Sequence, residues 1–275
     1  MTPIPNIKSD EPLSIILSPH YDDAVFALGG MLAQYRLRHD ESYVLTLFGG
    51  QAPASQELTW WNKETGFESN AQAEEARIME NRNALSLLGL DNDHMLDSLL
   101  DDVQYRNDRD PGGEARIAKA VGDEIKAVLS RFSSRTISIF SPISTAWGRF
   151  WEDSHPDHAI VHEAFLNIFR KAQHPAVSFY LYEDVIPYVY RFGHDNAKNW
   201  VEENDRVRLE QVIIELTERD FSSKLAALSQ YKSQMRQFRE PVDATLIGYS
   251  SRLCSALGRS CHACEVVYRM KPENS

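Results

Sequence analysis

Residues 14–50 read SIILSPHYDDAVFALGGMLAQYRLRHDESYVLTLFGG, and the succession of patterns in that stretch decides the fold class. Ser14 to Ser18 is a short, β-rich apolar run that breaks at Pro19 and His20. From Ala24 to Arg38, Val25, Leu28, Met31, Leu32 and Tyr35 recur at helical spacing. Tyr43 to Phe48 restores the strand pattern and stops at Gly49-Gly50, a pair that favours an abrupt turn. Strand, helix and strand within about 37 residues predict a parallel pair joined by a crossover helix.

The alternation continues down the chain. Gln51 to Asn70 is polar with Trp60, Trp61 and Phe67 embedded, and reads as a long surface loop, uncommon unless it serves a function. Ala71 to Leu90 reads as a helix, apolar along Ala73, Ala76, Ile78, Met79, Ala84, Leu87 and Leu88 and ended by Gly89, with a short strand after it near Met95 to Leu96. Asp101 to Gly113 is a second loop, Glu114 to Phe132 a helix, Thr136 to Phe140 a buried strand and Ser141 to Ser154 a third loop. Pro156 to Ala172 is a helix with proline in the first turn, where it is tolerated, and Ala176 to Tyr182 is a strand. Further on, Tyr188 to Asp205 reads as irregular, Arg206 to Leu216 as β, Glu218 to Met235 as a polar helix and Glu265 to Met270 as a strand. Nothing divides the chain, so a single domain over 1–275 is expected. Its fold class is α/β, a Rossmann-like three-layer sandwich with a mostly parallel sheet, a motif-bearing core over about 14–185 and irregular C-terminal additions over about 186–275.

The 275 residues, 43% of them hydrophobic, suffice for one large core. With 29 Lys and Arg against 40 Asp and Glu, the formal charge is −11, which argues against a nucleic-acid or anionic-membrane partner. Met1 to Asp10 carries two prolines and no apolar stretch, and no apolar run approaches the roughly 18 residues of a membrane span, so a soluble, cytoplasmic protein is expected. The three cysteines, Cys254, Cys261 and Cys264, are odd in number and bunched, which fits a reducing compartment better than a disulfide framework.

Two clusters carry chemistry: Ser18-Pro19-His20-Tyr21-Asp22-Asp23, after the first strand, and His155-Pro156-Asp157-His158, at the start of a later helix. In a doubly wound sheet both lie on the rim beyond the strands' carboxyl ends, where ligands bind. A hydrolytic zinc site needs about three His or Asp ligands and one open position. His20, Asp23 and one of His155 or His158 meet that count. Asp22 is then free to accept a proton from the attacking water, and the remaining histidine to stabilise an oxyanion with Asp157 orienting it. Taken singly, Asp22-Asp23 also suits a helix N-cap, and His155 to His158 a capped helix start with exposed imidazoles. Two such clusters on one rim favour the chemical reading.

These residues resemble the PIG-L and LmbE family of zinc-dependent de-N-acetylases. The family's opening motif is similar to PHPDD followed by a Gly-Gly pair; here it is Pro19-His20-Tyr21-Asp22-Asp23 and then Gly29-Gly30. Its HPDH motif stands intact at His155 to His158, and its helix signature is matched by Arg77, Glu80, Ala84 and Leu88-Gly89. A late helix ending in Ser-Gln is echoed by Lys224 to Gln234. The resemblance spans roughly 14–185. It implies that His20, Asp23 and His158 ligate zinc and that Asp22 is the general base. It further implies that protonated His155, polarised by Asp157, binds the oxyanion and that Arg77 contacts substrate. Tyr21 stands where the family has proline, which removes a fixed φ and offers a side chain to the pocket.

The implied reaction is attack of a metal-bound water on the N-acyl group, acetyl foremost, of a small amino-sugar conjugate, with homo-oligomerisation left open. Trp60, Trp61, Trp147 and Trp151 fall in rim loops, where aromatic faces either stack on sugar or pin the loop; Trp151 is carried forward as a substrate contact. His162, one turn beyond His158, reads as a packing or supporting residue. Cys261-His262-Ala263-Cys264 is a weak metal or redox signal. The alternatives are hydrolysis of another amide, a nucleotide- or methyl-donor-binding domain, and a non-catalytic sugar-binding module. The second lacks a glycine-rich phosphate loop after the first strand, and the third has no use for Asp22. His and Asp ligands also accept divalent ions other than zinc.

Overall fold

The computed structural model describes residues 13–38, 40–54, 56–98, 100–106, 112–143, 155–171, 176–184, 194–235 and 241–272. Seven strands, β1 (Leu13–Ser18), β2 (Ser42–Thr46), β3 (Met95–Asp97), β4 (Ile137–Ile143), β5 (Val177–Glu183), β6 (Arg208–Leu216) and β7 (Ala263–Lys271), form one sheet in the order β3-β2-β1-β4-β5-β7-β6. The first five are parallel, and β7 and β6 extend the sheet antiparallel beyond β5. The α/β three-layer architecture expected from residues 14–50 is the one observed.

Burial on both faces explains why the central strands are almost wholly apolar. Leu13, Ile15 and Leu17 of β1 point into one core, which holds Val121 and Ile125 of helix α4 (Gly113–Arg131) and Val161 and Phe165 of α5 (Pro156–Lys171). Ile16 points to the other, against α1 (Asp23–Arg38) and α3 (Asn70–Leu87).

The C-terminal part is more regular than its sequence suggests. It contains α6 (His194–Asp205), α7 (Glu218–Leu228), the single turn α8 (Lys232–Met235) and α9 (Val242–Ala256). The expectation of irregular structure over 188–205 fails at α6, and α9 has no counterpart in the sequence reading. The loop at 51–70 also holds a short helix, α2 (Trp60–Glu64), capped by the Thr59 hydroxyl. Among the described residues, no helix is long and apolar enough to cross a membrane.

Helix α1 is broken at Leu28, whose φ of −122° and ψ of 19° leave the helical region. The break frees backbone groups that must find other partners. Glu265 of β7 accepts from Gly30 N (2.9 Å) and Met31 N (2.8 Å), while Lys224 of α7 donates to Glu265 (2.6 Å) and to the Ala27 carbonyl (3.1 Å). A Cβ at Gly30 would overlap Leu216 and press on Glu265, and one at Gly29 would meet Lys224. That crowding gives the Gly29-Gly30 pair a physical reason.

Candidate metal centre

The chain order of the sheet reverses between β1 and β4, and a crevice opens there at the strands' carboxyl ends. β1 delivers its cluster to that crevice through a turn fixed by Ser18, whose hydroxyl donates to the His20 carbonyl (2.5 Å) and accepts from Ala24 N (3.0 Å). The Asp22 carbonyl accepts the first bonds of α1 from Val25 N and Phe26 N. Tyr21 takes the proline position. Its carbonyl lies 3.0 Å from the Tyr231 hydroxyl, and its own hydroxyl donates to the Gly49 carbonyl (3.3 Å), so hydrogen bonds hold the turn that a ring would otherwise fix. The second cluster arrives from the other side of the crevice. His155 precedes α5, Pro156 fills the first turn, and Asp157 and His158 are buried in it.

His20 Nδ1, Asp23 Oδ2 and His158 Nε2 form a triangle with every edge 3.3 Å. Ligands about 2.0–2.1 Å from a tetrahedral ion are about 3.3–3.4 Å apart, so the three atoms fit three of the four positions around a small divalent cation. The supporting hydrogen bonds agree with that use. His20 turns Nε2 to Asp157 Oδ2 (3.1 Å), and His158 turns Nδ1 to Asp184 Oδ2 (2.5 Å), fixing in each ring which nitrogen faces the triangle.

Electrostatics point the same way. Burial works against charge on His20, yet Asp157, Asp23 and Asp102 raise it to about 10. His158 is likewise raised well above the usual histidine range by Asp184 and Asp23 against the pull of burial. Burial would lift Asp23, but His158 and His20 hold its carboxyl well below the usual range. A pocket that draws protons onto two imidazoles is one that demands positive charge, which a cation supplies better. Asp22, 8% exposed, is pushed up to about 7 by burial and by the Asp23 charge beside it.

Asp157 is fully buried, paired with Arg106, and accepts from Val103 N (3.0 Å). Its nearer histidine is His20; His155 Nδ1 lies 3.8 Å away. Loss of water around the ring and repulsion by the His20 and His158 imidazoles push His155 down to about 3. With 44% of that side chain still exposed, the first of these causes is only partly in force.

Arg77 lies on α3 and donates to the Asn62 side chain (2.7 Å), which in turn donates to Asn70 and to the Tyr105 hydroxyl (2.9 Å each). Its observed contact braces the 51–70 loop. Trp60 is 71% exposed on that loop; Trp147 and Trp151 lie outside the described residues. His162 is fully buried, with Nδ1 2.9 Å from the Pro142 carbonyl and Nε2 3.4 Å from Asp205, away from the triangle. Sequence reasoning missed Asp184, Asp102 and Arg106. For Asp184 a signal existed, a carboxylate at the carboxyl end of an apolar strand in a doubly wound sheet; the other two sit in a loop with no local pattern.

Residues 15–169 match the PIG-L family, described as GlcNAc-PI de-N-acetylase. No curated protein sequence matches the chain. The zinc-inhibited form of teicoplanin deacetylase Orf2 superposes with a TM-score of 0.74 at 20% identity, covering 94% of this chain and 98% of that one. The A40926 pseudoaglycone deacetylase Dbv21 gives 0.74 at 21% identity, over 98% and 100%. The N,N'-diacetylchitobiose deacetylase from Pyrococcus horikoshii gives 0.57 at 16% identity, over 99% and 88%. At these identities the solved structures speak for the fold.

Proposed function

Since the chain belongs to the PIG-L family of de-N-acetylases, we propose that it is a zinc-dependent N-deacetylase that removes an N-acyl group, acetyl foremost, from a small amino-sugar conjugate. The observation that carries this reading is the 3.3 Å triangle of His20, Asp23 and His158 with Asp22 beside it.

His20 through Nδ1, Asp23 through Oδ2 and His158 through Nε2 would hold the ion. Bound there, it supplies Lewis acidity, making water ionisable near neutral pH and drawing electron density from an amide carbonyl. Asp22, with a carboxyl raised to about 7, takes the proton of the attacking water and returns it to the departing amine. His155, at the exposed mouth of the crevice, donates an N–H to the amide oxygen as it gains charge. Asp157 and Asp184 keep the His20 and His158 rings in orientation through the bonds described above. Arg77 and Tyr21 shape the wall of the crevice through Asn62 and the Gly49 turn, which is how they reach substrate in this reading.

The test is metal content of wild type beside His20→Ala, together with acetate release from N-acetylglucosamine conjugates. About one zinc at this site, lost in the variant, with metal-dependent acetate release, is the expected result. Zinc without acetate release would exclude the N-acetyl assignment, and no divalent metal after reconstitution would exclude the mechanism.

A further inference from the structure

The second cluster of metal-ligating side chains lies far along the chain from the first. Cys254 sits in the last turn of α9, Cys261 in the following connection, and Cys264 is the second residue of β7. Three separate pieces of backbone therefore bring their thiols together, with all three sulfurs within 4.8 Å of one another. Cys254 and Cys264 are buried and Cys261 is half-buried, and no disulfide joins any of them.

We propose that Cys254, Cys261 and Cys264 form a second metal site, a three-thiolate centre for a thiophilic cation such as zinc. Zn–S bonds of about 2.3 Å set sulfurs about 3.8 Å apart in a tetrahedral arrangement. That lies between the 2.9 Å separating Cys254 and Cys261 and the 4.8 Å bound on the whole set, so the site loads with side-chain shifts of about an ångström or less. A disulfide between Cys254 and Cys261 would use two of the thiols and leave the convergence of Cys264 unexplained. Without an ion, Cys254 and Cys261 pack sulfur against sulfur, a weak interaction. Binding is free of redox change: three S–H bonds lose their protons to solvent and three S–metal bonds form.

The site ties the end of α9 to the start of β7. Residue 265 follows Cys264 directly, and Glu265 is the group that holds the broken turn of α1 at Gly30 and Met31. The thiolate centre is thus a clamp on the strand that supports the helix beginning at Asp23, just after Asp22.

The experiment is cobalt(II) reconstitution of the reduced full-length chain, read by its near-ultraviolet sulfur-to-cobalt charge-transfer band and by metal count. The sulfur band does not require the deacetylase assignment, since His and Asp ligands give none; the expected count of two ions rests on the His20 centre proposed above. Two cobalt ions in wild type are expected, with the band retained in His20→Ala and lost, with one ion, in Cys264→Ser. Cys261→Ser, at the half-exposed position, repeats the loss in a variant that burdens folding less. A wild-type protein with reduced thiols that takes one cobalt and shows no sulfur band overturns the proposal, as does a band that survives in both cysteine variants.

Discussion

Asp22 and Asp23 are adjacent in sequence yet sit on opposite sides of the ordinary carboxylate range. Asp23 faces two imidazoles and stays ionised; Asp22 faces Asp23 in a dry pocket and is raised to about 7. A base with a raised value is charged only above it, so kcat/KM should be full at higher pH and fall as pH drops through that value. A bound cation would move the limb downward from about 7, toward the usual carboxylate range. A pH profile flat through that interval would remove Asp22 from the role. Asp22→Asn should lower kcat by roughly 10²–10⁴ while zinc content is unchanged. His155→Ala, removing a donor to the oxyanion, should cost two to three orders of magnitude in kcat, about 3–4 kcal/mol, again with the metal retained. Asp184→Asn acts differently: with His158 less firmly oriented, metal affinity should weaken about 10–100-fold, read by competition with a chelator. The His and Asp clusters at 20–23 and 155–158 were legible because unlike ligands recur within four residues at strand-to-helix junctions. Asp102 and Arg106 reach the site from one loop without local pattern, and Asp184 is a lone carboxylate whose only signal is its place at the end of an apolar strand.

Helix α1 shows what an element requires beyond its own residues. Its apolar spacing was readable, but the break at Leu28 was not, because the partners that stabilise it stand at positions 224 and 265. Removing one member of that buried ion pair leaves an uncompensated charge, so Glu265→Ala should cost about 3–5 kcal/mol, measured as a lower denaturation midpoint. A loss near zero would mean that water or a rotated Lys224 replaces the carboxylate. β1, β2 and β4 were legible because burial on both faces makes them short, mainly apolar runs. α9 was not, since its buried positions, Leu246, Ser250, Leu253 and Cys254, mix polar with apolar side chains and its interior includes Gly248. α2 was missed for a simpler reason: five residues are too few to show a period.

The molecule as a whole gathers its His and Asp clusters where the sheet's chain order reverses between β1 and β4, so an ion bound there would link β1 and α1 to α5. An ion that binds only the folded chain stabilises it by mass action, about 2.7 kcal/mol when free zinc is a hundredfold above Kd. Chelation should accordingly lower the thermal midpoint, and His20→Ala should remove the part of that response due to the His20 centre. The sheet's order has a further consequence. β7 lies between β5 and β6, although it follows both in the chain. During synthesis, which proceeds from the N-terminus, the parallel core and its His and Asp clusters emerge while the outer edge of β5 still exposes unpaired backbone groups. That edge is open to pairing with other chains until residues 263–271 arrive. The nascent polypeptide therefore carries its His and Asp clusters well before it can finish the sheet, and a ribosome stalled short of β7 would release an aggregation-prone chain.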